Sequence, residues 1–153
     1  MLHKNRIGGR WLTHADRWCW GAIDRLSEVN PYELRTVLSF LDHVPERSRA
    51  ERALERLRPM ILGGDVVELD PDSAKDAFHP LDYAPEPGLL SRRLFDGPAI
   101  EADLDRVKRG QKADGGWDVA FPIWTPITRF EWRGIQTVEM LKVLRSNGRI
   151  RSH

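Results

Sequence analysis

The heptapeptide Gln111-Lys112-Ala113-Asp114-Gly115-Gly116-Trp117 constrains the fold more than any other stretch, because it closes one helical pattern and opens the next. Upstream, Pro98 suits a first helical turn, and Ile100, Leu104 and Val107 recur at i, i+4 and i+7, which predicts an amphipathic helix over 98–110. Gly115 and Gly116 then reverse the chain, since glycine accepts the positive φ of a tight turn. Trp117 follows, placed to lay its indole over the Gln111 amide and to cover the ends of two helices. Gln111, Gly115, Gly116 and Trp117 are therefore expected to form a structural clamp rather than a chemical site.

Periodicity elsewhere brings the expected helices to five. The first is read over about 16–28, with Trp20, Ile23 and Leu26 inward. Asn30 caps the second and Pro31 opens it, with Leu34, Val37, Leu38 and Leu41 as its stripe. Pro45 opens the third, whose face is Ala50, Ala53, Leu54, Leu57 and Ile61, and Pro59 is expected to kink or end it. The fifth, over about 130–147 with Gly148 as its cap, repeats Trp132, Ile135, Val138, Leu141 and Leu144 every three residues, so its apolar stripe drifts around the axis. Such a helix is expected to be buried by several neighbours. Residues 63–97 read as a long irregular loop rich in proline and glycine, with Val66 to Leu69 as a short candidate strand.

With 153 residues, 41% hydrophobic and 31% charged, the chain reads as a single all-α domain over 1–153. Its 24 basic and 23 acidic residues leave a formal net charge of +1, which argues against a general nucleic-acid binder. One cysteine, Cys19, excludes an internal disulfide and fits a reducing cytoplasm. Neither a secretory leader nor a run of apolar residues long enough to span a bilayer is legible. There is also no nucleophile elbow, phosphate loop or His-Glu-x-x-His pair.

Gln111 with the Asp-Gly-Gly-Trp that follows resembles the turn motif of squalene–hopene cyclases and related terpenoid cyclases. It is more loosely similar to the glycine-rich turns of protein prenyltransferase β subunits. The resemblance covers about residues 104–148 and implies an α/α-toroid of helical hairpins around an apolar cavity. Five helices are too few to close such a ring, which implies a partial or open one. A weaker copy of the motif opens the chain. Aligning Trp11 with Trp117 pairs Gly9 with Gly115 and Asn5 with Gln111, and Trp20, Ile23, Leu26 and Val29 follow as Trp132, Ile135, Val138 and Leu141 do.

The resemblance implies an isoprenoid or other lipid-like ligand on an aromatic-lined concave face, for which Trp20, Trp124, Trp132 and Tyr83 are the candidates. The cyclases begin by protonating an alkene from an Asp-x-Asp-Asp motif. Here the nearest string is Asp70-Pro71-Asp72-Ser73, so Asp70 and Asp72 are the candidate acids and the fourth acid is missing. The same loop offers two readings, an acid or metal site from Asp70, Asp72 and His79, or a solvated loop whose Asp and Pro residues serve turns. The prenyltransferases bind zinc through Asp, Cys and His, but Cys19 has no recognisable set of co-ligands, so neither metal nor cofactor is expected. The alternative to a lipid-binding segment is a non-enzymatic helical repeat module that binds protein. An open ring exposes apolar surface, so a homodimer, or the remainder of a longer chain, is expected to cover it.

Overall fold

A computed structural model describes residues 3, 5, 7–73, 77–119 and 125–150. The expected all-α class holds. Six α-helices and one 3-10 turn are formed, and among the described residues there is no strand. They are α1 (Arg10–Asp24), α2 (Pro31–His43), α3 (Arg47–Gly63), α4 (Pro80–Tyr83), the 3-10 turn Leu90–Leu94, α5 (Gly97–Arg109) and α6 (Pro126–Ser146). The structure divides into two compact units, residues 1–67 with 89–94, and residues 68–88 with 95–153.

In the first unit α2 begins as the sequence predicts, with the Asn30 side chain accepting from the Glu33 N–H at 3.0 Å and Pro31 in the first turn. Leu34, Leu38, Leu41, Leu54, Leu57 and Ile61 are fully buried, so α2 and α3 pack stripe to stripe. Where α2 ends, Arg47 donates to the Leu41 and Asp42 carbonyls at 2.8 and 2.9 Å, supplying donors that the last turn lacks. Ser91 binds Asp42 through its N–H at 2.7 Å and its hydroxyl at 2.8 Å, which pins the 3-10 turn to α2. Burial pushes the Asp42 carboxyl up, and the two Ser91 bonds partly offset this.

Several boundaries differ from expectation. Helix α1 starts at Arg10, straight after Gly9 at φ 151, and stops at Asp24, where Arg25 and Leu26 turn back onto the Ala22 and Ile23 carbonyls at 3.1 Å. Helix α3 starts two residues after Pro45 and runs past Pro59 to Gly63, because tertiary packing of Leu57 and Ile61 outweighs one missing N–H. Val66 to Leu69 form no strand. Glu68 makes one bond to the Phe78 carbonyl at 2.9 Å, while the segment read as wholly irregular contains α4 and the 3-10 turn.

In the second unit α4 packs on α5, and α5 packs on α6. Asp96 caps α5, accepting from Ala99 at 2.8 Å. Thr125 does the same for α6, accepting from Thr128 at 3.3 Å and starting the helix four residues before the expected Phe130.

Candidate functional site

The clamp at residues 110–118 is built, with different bonds from those expected. Trp117 is buried, and its indole N–H donates to the Val107 carbonyl at 2.7 Å, one of the acceptors left open at the end of α5. Gln111 is exposed and reaches the Gly115 carbonyl at 2.9 Å, closing the loop on itself. Gly115 takes φ 86, the left-handed value predicted for it. A Cβ on Gly116 would come within 2.9 Å of Arg133 Nη2, so a side chain there would push the guanidinium aside. From α6, Arg133 binds Asp114 at 2.6 Å and Asp118 at 2.9 Å, while the Thr137 hydroxyl accepts from the Trp117 N–H at 3.1 Å. Arg133, followed by the Gly116 N–H, lowers the Asp114 carboxyl to about 2. The arrangement fixes α6 to α5.

The candidate acids lie in a turn. Asp70 accepts from the Asp72 N–H at 3.0 Å, Ser73 N–H bonds the Asp70 carbonyl at 3.2 Å, and Asp72, 82% exposed, pairs with Arg109 at 2.9 Å. The more enclosed acids are elsewhere, Asp103 buried and Asp82 half-buried. Asp103 faces the core of α5, accepting from the Leu81 N–H at 2.7 Å and from Arg106 at 2.6 Å. Asp82 accepts from the His79 N–H at 2.8 Å, and burial raises its carboxyl, opposed by that bond and Arg106 and assisted by Asp103. His79 is buried, and its Nδ1 finds no partner among the described residues. Asp103 was legible in principle, since an acid at i+3 from Ile100 interrupts an apolar stripe. Among the described residues no group of three His, Cys, Asp or Glu is arranged to hold a metal. Cys19 is half-buried, and burial, followed by Asp16, raises its thiol, which keeps it protonated.

Of the aromatic candidates, Trp20 belongs to the first unit and lies edge-on to Phe40 at 5.2 Å, buried, with Arg49 over its ring at 4.1 Å. Arg49 also pairs with Asp24 at 2.7 Å, and a groove of about 690 Å³ along α1 is lined by Trp20 together with Asp16, Arg17, Asp24 and Arg49. Tyr83 is buried in the second unit beside Phe78. Trp132 is partly exposed on α6, and Trp124 lies outside the described residues. The proposed internal repeat is not matched in conformation, because Trp11 stands exposed inside α1 whereas Trp117 is buried ahead of α6.

Sequence reasoning missed the exposure of α6. Val143 and Leu144 are buried near its end, Arg133 and Thr137 hold its middle, and Asn147 bonds the Pro85 carbonyl at 2.8 Å just past it. Of the residues expected to be covered on several sides, Leu144 is buried but Trp132, Ile135, Val138 and Leu141 are 42%, 51%, 50% and 39% exposed, and Ile127 and Phe130, each 73% exposed, extend the apolar surface toward the start of α6. Three-residue spacing reports which faces of a helix are apolar, not whether a neighbour is present to cover them. Among the described residues no helix is long and apolar enough to cross a membrane. No protein-family model, curated protein or solved structure matches the chain, so its function is argued from these residues alone.

Proposed function

We propose that this chain is a helical interaction module that acts by docking another polypeptide through the solvent-facing side of α6. The observation that carries this reading is the stripe of Ile127, Phe130, Val138 and Leu141, aliphatic and aromatic side chains exposed along one helix. Contiguous apolar surface of this kind favours association because covering it removes it from water. The lipid-binding reading, which the resemblance to terpenoid cyclases implies, draws less support. Trp20 and Tyr83, offered as ligand contacts, are core residues of two different units, and Asp72 is paired in open solvent.

The test compares the purified chain with its Phe130→Glu variant by mass spectrometry of both organic extracts and cross-linked polypeptides. The module reading expects polypeptide cross-links that fall at least tenfold in the variant. A recurrent isoprenoid in the extract, with cross-links unchanged by the substitution, would replace it with the lipid-binding reading.

A further inference from the structure

Helix α1 turns a basic and aromatic face to solvent. Its buried residues, Leu12, Trp20 and Ile23, lie on one side. On the opposite side Arg10, His14 and Arg17 follow at steps of four and three, and Trp11, Trp18 and Arg25 follow at steps of seven. The two rows are neighbours, so all six residues share an arc of about 120° of the helix surface. Each of the six is exposed, the two tryptophans by more than half. Among the described residues Arg10, Arg17 and Arg25 have no carboxylate partner. The acids of α1 are taken up elsewhere, Asp16 by His3 at 2.8 Å and Asp24 by Arg49 at 2.7 Å. Asp24 and Glu46 line the groove on the Arg17 side and bound the arc there. A Cβ on Gly21 would meet Arg25 Nη1 at 3.4 Å, so that guanidinium lies back along the helix on the same face as the other two.

We propose that this face of α1 binds the surface of an anionic lipid bilayer, lying in the headgroup layer without crossing it. Arginines with no partner inside the protein complement lipid phosphates and carboxylates. Exposed indoles suit the boundary between headgroups and acyl chains, because each combines an apolar ring with one N–H donor. A single exposed tryptophan is ordinary, whereas two in one row beside three unpaired arginines combine the features of helices that lie in a membrane interface. A nucleic acid is the other polyanion to weigh. Its affinity comes from many phosphate contacts, and the chain, at a formal net charge of +1, offers it one short basic row. A bilayer asks less of charge, because the two indoles also bury in it. This role is separate from the polypeptide docking proposed for α6.

The full chain is mixed with vesicles of phosphatidylcholine alone and of equimolar phosphatidylcholine and phosphatidylserine, and binding is read by flotation and by the blue shift of tryptophan emission. The expected result is binding at least tenfold tighter to the anionic vesicles than to the neutral ones, weakening as salt is raised. Arg10→Gln combined with Arg17→Gln and Arg25→Gln should weaken it at least tenfold, and so should Trp11→Ala combined with Trp18→Ala, whereas Phe130→Glu on α6 should leave it unchanged. No binding, equal binding to both vesicles, indifference to salt, or binding lost in Phe130→Glu and kept in the α1 variants would overturn the proposal. Lipid charge and salt are varied on the native chain, so those comparisons decide even where a variant fails to fold. Binding of an oligodeoxythymidylate, followed by anisotropy, in the absence of vesicle binding would assign the face to single-stranded nucleic acid and overturn the lipid proposal.

Discussion

Trp117 serves the turn in two separable ways, filling space between α5 and α6 and giving an N–H to the Val107 carbonyl. Trp117→Ala removes both and should destabilise the protein by about 3–5 kcal/mol, in the range of large aromatic truncations. Trp117→Phe keeps most of the ring but leaves the carbonyl without its donor, which should cost about 1–3 kcal/mol. Denaturant unfolding monitored by far-ultraviolet dichroism separates the two, and equal losses would remove the hydrogen bond from the account. Asp114 makes the same turn sensitive to acid. Its carboxyl lies at about 2, below its ordinary 3.8, because Arg133 and the Gly116 N–H favour the charged form. A carboxylate lowered on folding contributes stability above its unfolded value, and the contribution is lost as pH falls through the folded one. The window is therefore about pH 4 down to about 2. Carboxyl titration by NMR should find Asp114 near 2 in the native chain and nearer 3.8 in Arg133→Gln. An unchanged value in that variant would exclude the pair as the cause.

At the scale of elements, the helices legible in the sequence are those whose apolar stripe, cap and stop agree. Helix α2 is the clearest case, with Asn30, Pro31 and four regularly spaced aliphatic residues giving one answer. Helix α5 is nearly as clear, and the glycine turn after it reverses the chain where expected. The start of α1 was hidden because Gly9 caps without a side chain, so no Ser, Thr, Asn or Asp marked it. Long-range partners account for the other misses. Nothing local announces that Ser91 will bind Asp42, or that the Trp117 indole will find Val107 rather than Gln111, since both are settled only when distant elements pack. Asp70 and Asp72, the candidate acids, lie in an exposed turn, whereas the more enclosed carboxylates, Asp82 and Asp103, lie at the junction of α4 and α5, which no contiguous string encodes.

At the scale of the whole molecule, the docking proposed for α6 links binding to folding, because a partner that binds only the folded chain stabilises it by mass action. Tm by calorimetry should rise when a polypeptide captured by cross-linking is added back to the native chain and stay flat for Leu141→Glu; parallel behaviour would separate stability from α6. The same two-unit organisation has an optical side. Trp20 is enclosed in one unit and Trp117 in the other, while Trp11 and Trp18 stand in solvent. Among the described residues iodide is expected to reach Trp11, Trp18 and, in part, Trp132 and to be shut out from Trp20 and Trp117, so quencher-resistant emission draws on one enclosed indole from each unit. Replacing either enclosed indole by phenylalanine leaves the blue-shifted emission of the other, and the chain thereby carries a built-in dye for watching each half separately.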